Sequence, residues 1–383
     1  MLYPALEIEG EMKCMEGVLV LVANYPDDNG KIAMKYVHIR NLYYKKNGIK
    51  VTVLNFNAKN DYEYEGIKVI SLKTYYRNRQ TYKNSILILH AANIRNHFLF
   101  LIKNGTNFER FIFFYHGHEV LKTKDTYPEP YYYIHQKGRL YKGLVNVYDN
   151  IKLFIWKRYL PSIVEKSDFI FVSKWMLDKF VKYTNLSKEK LKHCYIIPNS
   201  IGKVFEENNY DFSMKKKYDF VTIRGNLDGS KYCMDIVNSL AKYNKENSFL
   251  VIGKGKFFSY YKKAENITWI DKNLSHEEII EVLNLAKCAL MPTRLDAQGV
   301  MMCEMASFGI PVITSDIDIC QEIKANYSNM YLIDNSNCDI DLAKYLQVAL
   351  KKSNVGKKKP FTMAETVGRE IQIIKNKALG EKR

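Results

Sequence analysis

Leu290-Met-Pro-Thr-Arg-Leu-Asp-Ala-Gln-Gly-Val-Met-Met-Cys-Glu-Met-Ala-Ser-Phe-Gly-Ile-Pro-Val-Ile-Thr314 carries more structural information than any other stretch of this sequence. An apolar run ends at Pro292, and a polar turn holds Asp296, Gln298 and Gly299. A helix-like segment with Glu304 follows, Gly309 and Pro311 stop it, and a second apolar run starts at Val312. The order is strand, glycine-containing turn, helix, strand. The first amides of such a helix have no partner within it and form an anion site. Asp296 and Glu304 are eight residues apart, about 12 Å along a helix axis. A phosphate site flanked by two carboxylates suits a diphosphate with hydroxyl-rich groups at both ends, which is the shape of a nucleotide sugar.

The same alternation extends in both directions. Toward the N-terminus, apolar runs of strand length occur at Gly17–Ala23, Ile49–Leu54, Ile86–His90, Phe111–Tyr115, Asp168–Ser173 and Tyr195–Pro198, with a helical pattern over 31–47. After Asn199 the pattern restarts, with strands expected at Tyr218–Ile223, Phe249–Ile252, Ile267–Ile270, Ala289–Met291 and Val312–Thr314. Continuous apolar strands alternating with helices imply parallel sheets covered on both faces. The expected fold class is α/β, with two Rossmann-like domains facing across an interdomain cleft. The boundaries read as 1–200, 201–362 and a C-terminal helix over 363–383 that packs back on the first domain. A basic linker runs from Lys351 to Lys359.

Composition narrows the class. The 383 residues carry a net charge of +17, and residues 1–200 account for most of it, with 31 Lys and Arg against 18 Asp and Glu. From Gly66 to Phe108 there are seven basic residues and no acidic one, interleaved with Tyr75, Tyr76, Tyr82, Phe98 and Phe100. A basic, aromatic-rich half suggests an anionic partner. An anionic membrane surface is expected there. Nucleic acid is not, because no RNP, KH or helix-turn-helix signature is present. The bland alternative is a solvated basic surface. No apolar run approaches the roughly 20 residues of a membrane span. The first residues are acidic and lack the basic start of a signal peptide. The expected location is cytoplasmic, peripheral at the inner face of the cell membrane. Seven scattered cysteines read as reduced thiols.

With these residues in view, the chain resembles retaining GT-B glycosyltransferases of the large family 4 type, which includes bacterial polysaccharide and glycolipid enzymes. The resemblance rests on the acidic pair Asp296-x7-Glu304, on Ser173-Lys174, on Ile197-Pro-Asn-Ser-Ile201 and on the Arg224/Lys231 region, and it spans roughly residues 17–375. The family carries E-x7-E, so here Asp replaces the first Glu, keeping the charge on a shorter arm. The resemblance implies a sugar moved, with retained configuration, from a nucleotide-diphosphate sugar to a glycan or polyprenyl-linked acceptor in bacterial surface polysaccharide synthesis. The expected donor is a UDP-sugar, with a GDP-sugar as the alternative.

It also implies roles. Asp296 with the backbone of Ala297, Gln298 and Gly299 would hold the donor sugar, and Gly299 and Val300 would offer N–H groups to the diphosphate. Glu304 would accept the ribose hydroxyls. Arg224 and Lys231 would neutralise the leaving diphosphate, their spacing of seven slightly longer than the family shows. His116, in Tyr115-His-Gly-His-Glu119, matches the histidine that reaches the donor sugar. Gly30 matches a glycine in the first turn that lets ligands approach the backbone. Gly253, in Gly253-Lys-Gly-Lys256, marks a turn at the site's rim, and Asp271 follows the next strand toward the base.

Each residue also has a structural reading. Asp296 suits a helix N-terminus without any ligand, His116 and His118 suit a satisfied strand end, and Lys231 suits an exposed turn. Asp316/Asp318 and Asp339/Asp341 invite a metal but read as caps and turns; no metal or other cofactor is expected to be required. Met301, Met302 and Met305 read as core. Two other functions share parts of the pattern: a GT-B sugar phosphorylase or nucleotide-sugar epimerase, and a basic nucleic-acid-binding protein. The first lacks a pyridoxal phosphate lysine motif and has no need of the basic face.

Overall fold

The computed structural model describes residues 17–28, 33–134, 138–351 and 359–376. One sheet holds β1 (Val18–Val22), β2 (Val51–Asn55), β3 (Tyr62–Tyr64), β4 (Ile67–Ile70), β5 (Ile86–His90), β6 (Arg110–Tyr115), β7 (Ser167–Phe171) and β8 (Cys194–Ile196), in the order β3-β4-β2-β1-β5-β6-β7-β8. The other holds β9 (Tyr218–Asn226), β10 (Phe249–Lys254), β11 (Ile267–Ile270), β12 (Ala286–Leu290), β13 (Val312–Ser315) and β14 (Met330–Ile333), in the order β11-β10-β9-β12-β13-β14. Helices of seven residues or more are α1 (Lys35–Lys46), α2 (Arg139–Ile163), α3 (Lys174–Thr184), α4 (Met234–Tyr243), α5 (His276–Asn284), α6 (Val300–Phe308), α7 (Asp318–Lys324), α8 (Leu342–Lys351) and α9 (Val367–Asn376).

The expected strands fall on β1, β2 and β5–β13. Three elements went unforeseen: β3 and β4, an antiparallel edge hairpin rich in tyrosine and charge, and the four-residue β14. Within the expected C-terminal helix of 363–383, the described helix runs from Val367 to Asn376 after turns over 363–366, where the amide of Met363 donates to the Glu206 carboxylate at 2.6 Å. Most of the expected linker lies outside the described residues.

The chain divides into two compact units. The first contains the chain up to Phe114, Glu165–Phe169 and the chain from Glu370; the second contains Tyr115–Val164 and Ile170–Arg369. In the first, β1 and β2 are buried along their whole length, as strands in a parallel sheet covered on both faces are. Two buried ion pairs lock it. Arg40 Nε donates to Glu370 Oε1 at 3.2 Å, and the Tyr44 hydroxyl donates to the other oxygen. Arg110 Nε donates to Asp168 Oδ2 at 2.5 Å. The aromatic part of the basic stretch changes meaning here. Tyr75, Tyr82 and Phe100 are buried in the core, because each packs its ring against another, and only Tyr76 among the tyrosines is exposed.

In the second unit the sheet has two cores. Met302, Met305, Ile279 and Ile319 bury α5, α6 and α7 against one set of strand residues. Met234, Val237, Leu240 and Leu342 bury α4 and α8 against the alternate set. Its described strands pair in parallel. Its strand order leaves β9 and β12 as neighbours from which the chain winds outward in opposite directions. Ligands of such sheets bind outside the strand carboxyl ends at that switch point.

Candidate functional site

Arg224 lies near the carboxyl end of β9, at the switch point. Its Nη2 donates to the carbonyl of Pro292, 2.7 Å away in the loop after β12. Its Nε is buried with no hydrogen-bond partner among the described residues. Burial lowers the guanidinium's affinity for its proton, and the charge of Asp296 pulls the other way. The guanidinium lies 5.1 Å from the centre of the Tyr232 ring, and Lys231 Nζ lies 4.7 Å from the same ring. Two cations seven residues apart thus share one aromatic ring, which stabilises both without neutralising either.

The Lys231 turn is tied to the loop after β12. Its carbonyl accepts from Arg294 N at 2.8 Å and from Thr293 Oγ1 at 3.0 Å. Arg294 in turn forks onto Asp235, with Nη1 and Nη2 at 2.9 and 2.6 Å, and Tyr131 donates its hydroxyl to the same carboxylate at 2.9 Å. Burial alone would raise the Asp235 carboxyl, but the Arg294 hydrogen bonds and charge outweigh it and hold it below the usual range. Such a bidentate pair fixes orientation as well as charge. Asp235 and Arg294 were not singled out in the sequence.

Asp296 caps its own turn, accepting from Ala297 N at 2.8 Å and Gln298 N at 3.2 Å. Those two amides are therefore engaged. α6 begins after Gly299 (φ 75°) without a side-chain cap, which leaves its first-turn amides unserved by any side chain. Gly299 sits there because a left-handed backbone suits glycine, and an added Cβ would meet the Met302 methyl at 3.0 Å. A cavity of about 360 Å³ opens beside Asp296, walled also by Trp175, Arg294, Asp316 and Asp318. Asp316 holds the Gln321 amide at 2.7 Å, and Asp318 opens α7. Gln298 is buried and its side chain is held by Asn199: it accepts from Asn199 N and Nδ2 and donates to Asn199 O.

About one turn into α6, Glu304 is 4% exposed. Its described partner is one amide, Gly202 N–H at 2.9 Å. Burial pushes its carboxyl up to about 7, and the Gly202 amide pulls it back only in part. A Cβ on Gly202 would come within 3.1 Å of Glu304 Oε1 and 2.9 Å of His276 Nδ1. So Glu304, Gly202 and His276 form one corner, and the sequence had offered only the first of the three. His276 heads α5 behind a Ser275/Glu278 capping box.

The remaining residues are placed less centrally. Gly253 (φ 153°) sits at a register shift between β10 and β9, where a Cβ would lie 2.0 Å from the Arg224 carbonyl oxygen. Asp271 is exposed after β11. His116 is half-buried in the turn after β6, where Glu119 accepts from the His116 and Gly117 amides at 3.1 and 2.6 Å. Gly30 lies outside the described residues. Ser173 and Lys174 open α3: Ser173 Oγ accepts from Met176 N, and Glu322 accepts from the Lys174 and Trp175 amides at 2.6 and 2.9 Å.

Residues 205–364 match the family model Glycosyl transferases group 1. The chain is a glycosyltransferase. Its fold is GT-B, with two Rossmann-like parallel sheets. A glycosyltransferase from Rickettsia africae ESF-5 superposes with a TM-score of 0.64 at 13% identity, over 96% of this chain and 100% of that one. Anabaena Alr3699/HepE, solved in complex with UDP and glucose, gives 0.59 at 11%, over 94% and 95%. WaaG, a glycosyltransferase involved in lipopolysaccharide biosynthesis, gives 0.57 at 15%, over 94% and 99%. These likenesses bear on the fold. No curated protein matches the chain by sequence.

Proposed function

We propose that this glycosyltransferase transfers a sugar, with retention of configuration, from a nucleotide-diphosphate sugar to a glycan or polyprenyl-linked acceptor held at the membrane. The observation that carries the reading is the switch point itself. Two cations share the Tyr232 ring, an uncapped helix N-terminus starts at Gly299, and a buried carboxylate with a single described hydrogen bond, Glu304, lies in the second turn of that helix. Cations and amides answer a diphosphate, and an under-paired carboxylate answers ribose hydroxyls.

In this reading Arg224 and Lys231 stabilise the charge that grows on the diphosphate as the sugar–phosphate bond breaks. The amides of Gly299 and Val300 act on the same group. Asp296 holds donor sugar hydroxyls with the oxygen its own turn leaves unused, and His116 touches the sugar from the turn after β6. The acceptor oxygen attacks on the face the diphosphate leaves from. Its proton passes to a departing phosphate oxygen, so the new glycosidic bond keeps the configuration and no protein carboxylate is alkylated. Gly253 spaces β10 from Arg224, and Asp271 faces the base. No metal or other cofactor enters this scheme. The residue roles follow the domain reading of 1–200 for acceptor and 201–362 for donor.

A UDP-sugar is the proposed donor, supported by the UDP held in the Anabaena structure. Family 4 membership and a role in bacterial surface polysaccharide rest on the Asp296-x7-Glu304 pattern. A cytoplasmic, membrane-peripheral location is supported by the acid-free stretch from Gly66 to Phe108, which exposes Leu99, Ile102 and Tyr76. No described helix is long and apolar enough to cross a membrane. The test is release of nucleoside diphosphate from a panel of UDP-, GDP- and ADP-sugars, with the anomeric configuration of the product read by NMR. Turnover with none of them, or an inverted product, would end the proposal.

A further inference from the structure

The helix α2 is apolar on two opposite faces, and the protein covers one. At about 100° per residue, Leu153, Trp156, Leu160 and Ile163 fall together and are buried. Lys152 fixes that face: its Nζ donates to Asp149 Oδ1 at 2.8 Å, to Leu121 O at 2.9 Å and to His118 O at 3.0 Å. Asp149 also accepts from Thr123 N at 2.7 Å. The helix therefore cannot roll to hide its other side.

That other side carries Leu140, Leu144, Val147, Tyr148, Ile151 and Phe154, which recur at the three- and four-residue steps of one helical face. Leu140 is 87% exposed, Leu144 67% and Phe154 64%. The stripe runs about 21 Å along the axis at 1.5 Å per residue. Contiguous apolar surface of this extent marks an interaction site. A cavity of about 550 Å³, walled by Tyr127, Pro128, Pro130, Tyr141 and Val145, lies at its N-terminal end.

Charge identifies the partner. The sequence of α2 has five basic residues and one acid, Asp149, which is buried. Lys157 and Arg158 are exposed where the stripe ends. Glu129, the acid paired with Lys142, lies off the helix. A second copy of α2 laid antiparallel on the stripe would offer Lys157 and Arg158 no acid of its own helix, because the one acid of that sequence, Asp149, is buried on the other face. An anionic phospholipid surface answers all of them and buries the leucines as well.

We infer that α2 lies in the plane of an anionic bilayer, with the Leu140–Phe154 stripe inserted at the headgroup boundary. The inference rests on the membrane part of the proposed function and names the surface that would carry it. The test is co-sedimentation of the full chain with vesicles of equal phosphatidylglycerol and phosphatidylcholine, against vesicles of phosphatidylcholine alone. Binding to the anionic vesicles is expected to be at least ~10-fold tighter. Leu144→Glu with Ile151→Glu is expected to weaken it by ~10-fold or more. Lys157→Glu with Arg158→Glu should weaken it on anionic vesicles and leave the weak phosphatidylcholine binding unchanged. The thermal shift given by UDP checks each variant's fold and donor site. Undiminished vesicle binding by the Leu144/Ile151 variant would overturn the inference. So would a native dimer that this variant makes monomeric while neither binds vesicles. Loss of UDP binding with intact vesicle binding would count against the transferase reading alone, and the reverse pattern against the docking face alone.

Discussion

Glu370 and Glu304 are both almost wholly buried glutamates, one in each unit, and they are treated in opposite ways. Glu370 has a cation and a hydroxyl: Arg40 takes one oxygen and Tyr44 the other. Glu304 has one described amide, and burial pushes its carboxyl up to about 7. A carboxylate that folding satisfies completely is structural. One that folding leaves short of partners costs stability when empty and is available to a ligand. The same contrast separates the arginines. Arg294 is forked onto Asp235, whereas Arg224 keeps a buried Nε without a partner among the described residues.

The largest expected effect tests the structural side. Glu370→Ala strands the Arg40 charge in the core and should cost about 3–5 kcal/mol in urea unfolding. Glu304→Ala should cost far less and instead abolish stabilisation by the nucleotide. If the two losses came out alike, the distinction between the glutamates would collapse. Next, Arg224→Met should lower turnover by two to three orders of magnitude, about 3–4 kcal/mol, with the circular dichroism unchanged. Wild-type turnover in that variant would remove Arg224 from the site.

The third expectation concerns pH. Glu304 holds its proton to about 7 when folded and loses it near 4.5 when unfolded. Between those values the unfolded chain binds fewer protons, so stability falls as pH rises, by about 3 kcal/mol in all. Glu304→Gln, neutral throughout, should be more stable than the native chain at pH 8 and no more stable at pH 4. Nucleotide affinity should rise from pH 6 to pH 8 in the native protein, by about tenfold, and lose that slope in Glu304→Gln. A flat profile in both would show that the ribose does not select the ionised carboxylate. The smallest effect sharpens the arginine contrast. Gly253→Ala forces the end of strand β10 away from the Arg224 carbonyl and should cost about 2 kcal/mol. It should lower turnover more than nucleotide affinity, because it moves Arg224 and leaves α6 in place.

Much of this was legible in the sequence for a physical reason. Strands of a covered parallel sheet are largely apolar without interruption, so β1 and β5 are visible in one dimension. Tyr62-Glu-Tyr64 and Met330–Ile333 are too short or too polar to stand out in the same way. Asp296, Glu304, Arg224 and Lys231 were visible because one loop and one strand end gather them. Asp235, Gly202 and His276 were not, since their meaning depends on partners far along the chain: Asp235 lies 59 residues from Arg294, and Gly202 lies 102 from Glu304. Composition also misled. Tyr75, Tyr82 and Phe100 stand among lysines and arginines in the sequence yet bury their rings. Meanwhile Leu140 and Leu144 of α2 are left outside, although Leu153 and Leu160 of the same helix are buried.

The bond from Gly202 to Glu304 makes the binding corner observable by spectroscopy. An amide proton held by a single carboxylate shifts downfield when that carboxylate ionises and exchanges more slowly when a ligand covers it. One 15N-labelled glycine resonance, followed through pH and nucleotide titrations, would therefore report on the charge of the α6 carboxylate without any mutation.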